Sequence, residues 1–196
     1  MALLCDCRFA TASQLARHPE FSWRTQPSRR LKEWMRGHRD LFERLDGPPG
    51  TESRYRMTKG ACRRYGVHTK AISALTQRAN HWLGLTDIWL EMAFSGGRPI
   101  EWRTEVDRQF DAMCRWRGRL LLIEYQRTPI TSAAWAKKWE VRKRWYKEQA
   151  WADHPTILLV NTTGQTDETV QTPRGTVHVR SVEGIHHALN PEFRHS

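Results

Sequence analysis

The segment from Phe110 to Thr128 constrains the fold of this chain more than any other. It reads FDAMCRWRGRLLLIEYQRT, and its first part is a short stretch that carries Asp111. A turn rich in Arg and Gly follows at 115–118, and then an apolar run, Leu120–Ile123, ends in Glu-Tyr-Gln. A short apolar run after a turn that contains Gly is typical of a buried strand. The segment therefore predicts a β-hairpin whose second strand lies inside a sheet.

Three polar side chains are expected to meet at one end of this hairpin. Residues two apart in a strand point to the same face, so Glu124 and Gln126 project together, and Asp111 lies on the preceding strand. Two carboxylates with open positions suit an oxygen-ligated cation such as Mg²⁺ or Mn²⁺. Such a cation activates water and stabilises a phosphoryl transition state. An ordinary hairpin with polar ends is the alternative, because a D…ExQ match is common by chance.

The flanking segments extend the pattern to helix, three strands, helix, strand. The stretch His81–Phe94 places apolar residues on one helical face and precedes an alternating strand at 101–106. After the hairpin, Thr131–Trp151 is helical in character and leads to an apolar strand, Thr156–Asn161. Glu105, in the first strand, is placed to point toward the same edge as the polar cluster. The predicted core is αβββαβ.

This order of elements, with its E…D…ExQ spacing, resembles the PD-(D/E)XK nuclease superfamily. In that pattern the Asp and the Glu bind the metal, and a third polar residue, usually Lys, positions the attacking water. The resemblance implies that Asp111 and Glu124 bind Mg²⁺ or Mn²⁺, with Glu105 as a further ligand. Gln126 then stands where Lys is usual, and Phe110 replaces the usual Pro.

The helix after the hairpin offers a substitute for the missing strand lysine. In this superfamily a lysine from this helix can take that place, and Lys138 or Lys137 is the candidate. The helix also interleaves Trp and Tyr with Lys and Arg, a pattern that can stack on bases and hold phosphates. The alternative is that the Trp residues pack on the sheet while the basic residues face solvent. We expect core packing for most of the Trp and backbone contacts for some of the Lys.

The net charge of +11 over 196 residues indicates a polyanionic partner. The excess is concentrated in residues 1–70, which hold 15 Lys and Arg against 7 Asp and Glu. Membrane headgroups are the alternative, but no segment combines a basic face with a clean apolar face. A mean hydropathy of −0.72 and the lack of a long apolar run argue against a membrane span. DNA is therefore the expected partner, and no membrane is expected.

Residues 1–70 are predicted to form a small winged helix-turn-helix domain. Thr11 or Ser13 caps an early helix, Pro27 suits the first position of a second one, and a Gly/Pro-rich turn at 46–50 separates two strands. The second helix would enter the major groove and the hairpin would contact the backbone. The alternative is that the basic residues only solvate a helix face. The predicted DNA contacts are Arg29, Arg30, Lys32, Arg36, Arg54 and Arg56.

The expected fold is α+β or α/β, with the winged helix in residues 1–70 and a restriction-endonuclease-like αβββαβ core in residues 71–196. This combination resembles the replication-relaxation family of plasmids and other mobile elements, which implies DNA binding and metal-dependent cleavage or nicking. Two alternatives stay open. One is a catalytically degenerate replication or transcription regulator, which Gln126 favours. The other is an accessory subunit whose Trp-rich helix docks a partner nuclease or relaxase, with Trp as the anchor.

Compartment and further partners complete these expectations. The four cysteines form no CxxC pair, and the N-terminus lacks a basic segment followed by a long apolar core. Reduced thiols in the cytoplasm are therefore expected. Besides DNA, the expected partners are a second copy of the chain or a replication or transposition protein.

Overall fold

A computed structural model describes residues 2–22, 26–67, 77–165 and 176–189. The fold is mixed α and β, as predicted, with one three-stranded and one five-stranded sheet. No helix within these ranges is long and apolar enough to cross a membrane. The elements in chain order are α1 (Ala2–Cys7), β1 (Ala10–Thr11), α2 (Ala12–Ala16), α3 (Pro19–Ser22), α4 (Pro27–Gly37), β2 (Phe42–Leu45), β3 (Arg54–Met57), α5 (Lys59–Arg64), α6 (Gln77–Gly96), β4 (Ile100–Val106), β5 (Phe110–Trp116), β6 (Arg119–Gln126), α7 (Ser132–Glu148), β7 (Thr156–Asn161), β8 (Val177–Val179) and α8 (Ile185–Leu189).

Two compact units, Met1–Leu90 and Glu91–Ser196, divide the chain within α6. The first part of α6 belongs to the N-terminal unit because it bonds with that unit's loops: the Thr86 hydroxyl donates to the carbonyl oxygen of Phe9 at 2.6 Å. The boundary that the sequence predicts, after residue 70, lies outside the described residues.

The N-terminal unit combines short helices with a small antiparallel sheet of strand order β1-β3-β2. Thr11 caps α2, as predicted, in a capping box with Gln14, which satisfies two backbone donors at the helix start. Helix α4 begins at Pro27, as predicted, and ends at Gly37. Leu31 of α4 is buried and attaches this helix to the core.

The C-terminal unit is built on the sheet β4-β5-β6-β7-β8. Strands β4, β5 and β6 pair antiparallel, whereas β6, β7 and β8 pair parallel. A parallel pair needs a crossover, and α7 supplies it between β6 and β7. Helix α7 packs on the sheet through a buried cluster of Phe110, Leu122, Trp135, Trp139 and Leu159.

A two-residue turn fixes the register of the central hairpin. Trp116 pairs with Arg119, and both intervening residues, Arg117 and Gly118, have positive φ, at 49° and 75°. Positive φ at both positions is the requirement of a type I′ turn, whose twist matches that of the flanking strands. The turn predicted at 115–118 is thereby confined to its last two residues, and this sets which side chains face each other at the other end of the hairpin.

Candidate functional site

The hairpin register sets Asp111 opposite Glu124. Ala112 pairs with Ile123. Asp111 precedes Ala112 and Glu124 follows Ile123, so the antiparallel register, continued by one residue, brings these two together. Residues directly opposite on antiparallel strands have Cβ atoms roughly 4.5–5.5 Å apart and share a face of the sheet. The two carboxylates named from the sequence therefore come from adjacent strands at one end of the hairpin.

Glu105 occupies the next register position in the same row. Thr104 pairs with Ala112 and Val106 pairs with Phe110, so Glu105 lies opposite Asp111 on the other side of β5. Its φ is +55°, in the left-handed region that non-glycine residues rarely adopt. A third acidic residue thus stands in the row across β4, β5 and β6, at a point where the edge strand departs from regular geometry.

Glu124 is buried and held by two cations of α7. Its side chain is 1% exposed. Lys138 donates from Nζ to its Oε1, and Arg142 donates from Nη2 to its Oε2 at 2.5 Å. Residues four apart lie on one face of a helix, which is why Lys138 and Arg142 reach the same carboxylate. A charge this deeply buried is tolerated only when it is paired and hydrogen-bonded, as Glu124 is.

Gln126 and Asp111 complete the site with backbone-anchored polar groups. The Gln126 side chain is buried, its Nε2 donates to the carbonyl oxygen of Thr128, and its Oε1 lies 3.5 Å from the ammonium of Lys138. Oδ2 of Asp111 accepts the backbone N–H of Tyr125 at 2.7 Å. Both side chains are therefore oriented by the main chain of the strand ends.

The protonation of Glu124 reflects opposing forces. Burial raises the pKa of its carboxyl above the ordinary value, and the nearby carboxylate of Asp111 raises it further. Arg142 and Lys138 act in the opposite direction by stabilising the charged form. The net effect on the pKa of Glu124 is upward.

The structure brings together Asp111, Glu124, Gln126 and Lys138, which the sequence proposed as one group. It also separates the two lysine candidates, because Lys138 reaches the cluster while Lys137 is exposed to solvent. Arg142 was not proposed from the sequence. Its position four residues after Lys138 on the face of α7 that meets the sheet was the available signal.

The donor atoms at this site are oxygens, which are the ligands that a hard divalent cation prefers. Asp111 and Glu124 supply carboxylate oxygens and Gln126 supplies an amide oxygen. Mg²⁺ usually keeps several waters and binds through one or two carboxylates plus substrate phosphates. No cluster of three or more His, Cys, Asp or Glu side chains able to hold a metal ion is present in the described ranges. The residues fit a two-carboxylate site of the kind that substrate completes, and not a closed protein cage.

The predicted DNA contacts on α4 are at the surface. Arg29 and Arg30 both pair with Glu33, at 3.0 and 3.4 Å, and all three side chains are well exposed. Lys32 and Arg36 are exposed as well. Helix α4 therefore presents four cations and one carboxylate to solvent.

The two predicted contacts on β3 have different positions. Arg54 is 3% exposed, its Nη2 donates to Oδ1 of Asn80 at 2.6 Å, and its burial lowers the pKa of its guanidinium. This position does not fit the predicted phosphate contact, because the guanidinium is not at the surface. Arg56 is half-buried and pairs across the strands with Glu43, its register partner.

Comparisons with known proteins add no relative. No family model matches the chain, and neither the curated proteins nor the solved structures contain a match.

Proposed function

We propose that this chain is a DNA-binding protein that cleaves or nicks DNA with Mg²⁺ or Mn²⁺. The observation that supports this most is the convergence on buried Glu124: Lys138 bonds to it from α7 and also lies near Gln126 of the same strand end. Asp111 and Glu124 lie one residue beyond Ala112 and Ile123, the pair at this end of the hairpin register. A buried group of opposite charges in this arrangement is expensive to maintain for stability alone.

Each residue has a chemical task in this proposal. Asp111 and Glu124 would hold the divalent ion through their carboxylate oxygens. When bound, such an ion would polarise a phosphate oxygen and lower the pKa of its water. Gln126 is neutral and takes no proton, so it would orient the attacking water by accepting a hydrogen bond at Oε1, while its Nε2 donates to the carbonyl oxygen of Thr128. Lys138 stabilises the charge that develops on the phosphate.

The N-terminal unit supplies duplex binding in this proposal. Its order of helix, short strand, three helices and an antiparallel hairpin is compatible with a winged helix-turn-helix. Helix α4 would then lie in the major groove. Its exposed Arg29, Arg30, Lys32 and Arg36 are suited to phosphate contacts. The setting, a plasmid or another mobile element, rests on the resemblance of the sequence alone.

The direct test is cleavage of supercoiled plasmid by the purified full-length protein in Mg²⁺ or Mn²⁺, with a chelator as the blank. We expect nicked or linear product from wild type and none from Asp111→Asn, which keeps an oxygen for the Tyr125 amide but removes the charge. Lys138→Ala should lose cleavage whereas its neighbour Lys137→Ala should retain it. Absence of metal-dependent product on supercoiled, nicked and branched DNA would refute the nuclease proposal.

A second candidate is a DNA-binding regulator without cleavage activity. It is favoured by one specific observation, that both oxygens of Glu124 already accept hydrogen bonds from cations. In this case the same plasmid assay shows binding and no product under any metal. The accessory-subunit alternative has less support, because Trp135 and Trp139 of the Trp-rich helix are 1% and 3% exposed and lie in the core.

A further inference from the structure

The two cations that hold Glu124 differ in how firmly they are placed. Lys138 is 33% exposed, whereas Arg142 is 5% exposed. Each takes a different oxygen of the carboxylate, Lys138 the Oε1 and Arg142 the Oε2. One side of Glu124 therefore faces an accessible ammonium, and the other faces a guanidinium sealed in the interior.

Arg142 is fixed by aromatic rings as well as by charge. Its guanidinium carbon lies 4.8 Å from the ring centre of Phe110 and 5.4 Å from that of Trp139. Its Nη1 is buried and has no hydrogen-bond partner in the described part of the chain. An unsatisfied buried donor lowers the stability of the fold, so its presence calls for a functional explanation. The stacked, planar guanidinium has one well-defined way to present Nη2 to Glu124.

Lys138 has other partners within reach of its flexible stem. Its Nζ lies 3.5 Å from Oε1 of Gln126 and 5.5 Å from the ring centre of Trp135. An ammonium is a point charge on a four-carbon chain and loses little by moving between such partners. Lys138 can therefore leave Oε1 of Glu124 without becoming an isolated buried charge.

We propose that Arg142 is a positioning residue that fixes Glu124 through Oε2, and that Lys138 is the exchangeable counterion that gives up Oε1 when a divalent cation binds. This inference rests on the proposed function, because it concerns the same site. It accounts for the engagement of both carboxylate oxygens by side chains of α7, and it assigns the two cations opposite effects on metal affinity.

The opposite effects separate positioning from simple electrostatics. If both residues acted only as positive charges, removing either one would tighten cation binding, since like charges repel. If Arg142 orients Glu124, its removal should instead weaken binding, and loss of such an orienting partner typically costs about 10–100-fold in metal affinity. Removing Lys138 should tighten binding, because its ammonium competes for the same oxygen.

The experiment is calorimetric titration of Mn²⁺ into DNA-free, full-length protein, which requires no catalytic turnover. The variants are Lys138→Met and Arg142→Met, with Lys137→Met as the exposed control on the same helix. We expect a lower Kd for Lys138→Met, a Kd raised by about 10–100-fold for Arg142→Met, and little change for Lys137→Met. Arg142→Lys keeps the charge and replaces Arg142→Met in the titration if Arg142→Met does not fold. Its Kd should rise too, because an ammonium cannot stack and present a fixed Nη2.

The possible failures are distinguishable. Unchanged or tighter Mn²⁺ binding in folded Arg142→Met, or in Arg142→Lys, overturns the positioning role. Unchanged or weaker binding in Lys138→Met overturns the exchange. Wild type that binds no Mn²⁺, with or without a duplex, overturns the metal-dependent function itself and this inference with it.

Discussion

The two basic helices of this chain place their charges in opposite environments. Helix α4 exposes its cations, and the two that are paired, Arg29 and Arg30, share Glu33 at the surface. Helix α7 turns two of its cations, Lys138 and Arg142, onto the buried carboxylate of Glu124. In the sequence the two helices look alike, since both are rich in Lys and Arg between aromatic and aliphatic residues.

The difference shows that burial determines which role a basic side chain can have. An exposed ion pair contributes little to folding, because water and salt screen it and the side chains lose entropy. Such a cation remains available to a polyanion. A buried cation has lost its hydration and depends on its partner, so removing one member leaves an uncompensated charge. The surface of α4 is suited to binding, and the inner face of α7 is suited to holding a reactive site in place.

The largest expected effect is on stability. Glu124→Ala leaves Arg142 buried without its anion, so we expect the free energy of unfolding to fall by about 3–5 kcal/mol. Arg29→Ala, on exposed α4, should change it by less than about 0.5 kcal/mol. Urea denaturation of both variants measures the difference. Similar losses of unfolding free energy in the two variants would mean that the buried cluster and the surface pair contribute equally to stability, which would contradict the contrast between the two helices.

The second effect is on the salt dependence of DNA binding. Arg36→Ala should lower the slope of log affinity against log salt by about 0.9, the value for one lost phosphate contact. Removing Arg29, Arg30 and Arg36 together should lower it in proportion. Buried Arg54 provides the matched control within the same unit, and Arg54→Gln should leave the slope unchanged. Fluorescence anisotropy over a salt series measures it, and an unaltered slope in the triple variant would rule out α4 as the DNA-binding helix.

Periodicity in the sequence was sufficient to predict the main elements. The strand Thr156–Asn161 is confirmed at its exact bounds. The hairpin also forms as predicted, because an Arg-Gly turn and a four-residue apolar run leave few other ways to bury that run. Such features depend on local chemistry, which a single sequence displays.

What the sequence did not reveal depends on tertiary packing. Arg142 looks like any surface cation of a basic helix, and only the docking of α7 on the sheet places it against Glu124. Arg54 reads as an exposed residue of a hairpin, yet it is buried beside Asn80, which lies 26 positions further along the chain. Neither contact follows from spacing, because each joins elements whose relative placement is set by the core and not by neighbours in sequence.

A third, smaller effect is the pH dependence that Glu124 should contribute. Its pKa is raised in the folded protein, chiefly by burial and then by Asp111, so the folded state keeps this proton at pH values where the unfolded chain has released it. Stability contributed by the group is therefore present at low pH and falls as pH rises from the ordinary pKa through the raised one. Each tenfold weakening of the acid on folding corresponds to about 1.4 kcal/mol of this decline. Glu124→Gln should lack the decline.

Denaturation of wild type and Glu124→Gln at a series of pH values measures that contribution as a difference between the two curves. Glu140→Gln, an exposed change on the same helix, controls for loss of one carboxylate. A wild-type advantage that grows with pH would show that Lys138 and Arg142 outweigh burial, and that the pKa of Glu124 is lowered instead.

The smallest expected effect concerns the carboxylate on α4. A hydrogen bond from Arg29 is the main cause of the lowered pKa of Glu33, so this carboxylate is charged at neutral pH and competes with phosphate for Arg29 and Arg30. Glu33→Gln should tighten DNA binding a few-fold, because it releases two cations and removes one repelling charge. Glu140→Gln on α7 is the matched control, since Glu140 pairs with Lys143 in the same exposed way. If the two substitutions tighten binding equally, overall charge alone governs affinity. If only Glu33→Gln does so, the DNA lies against α4.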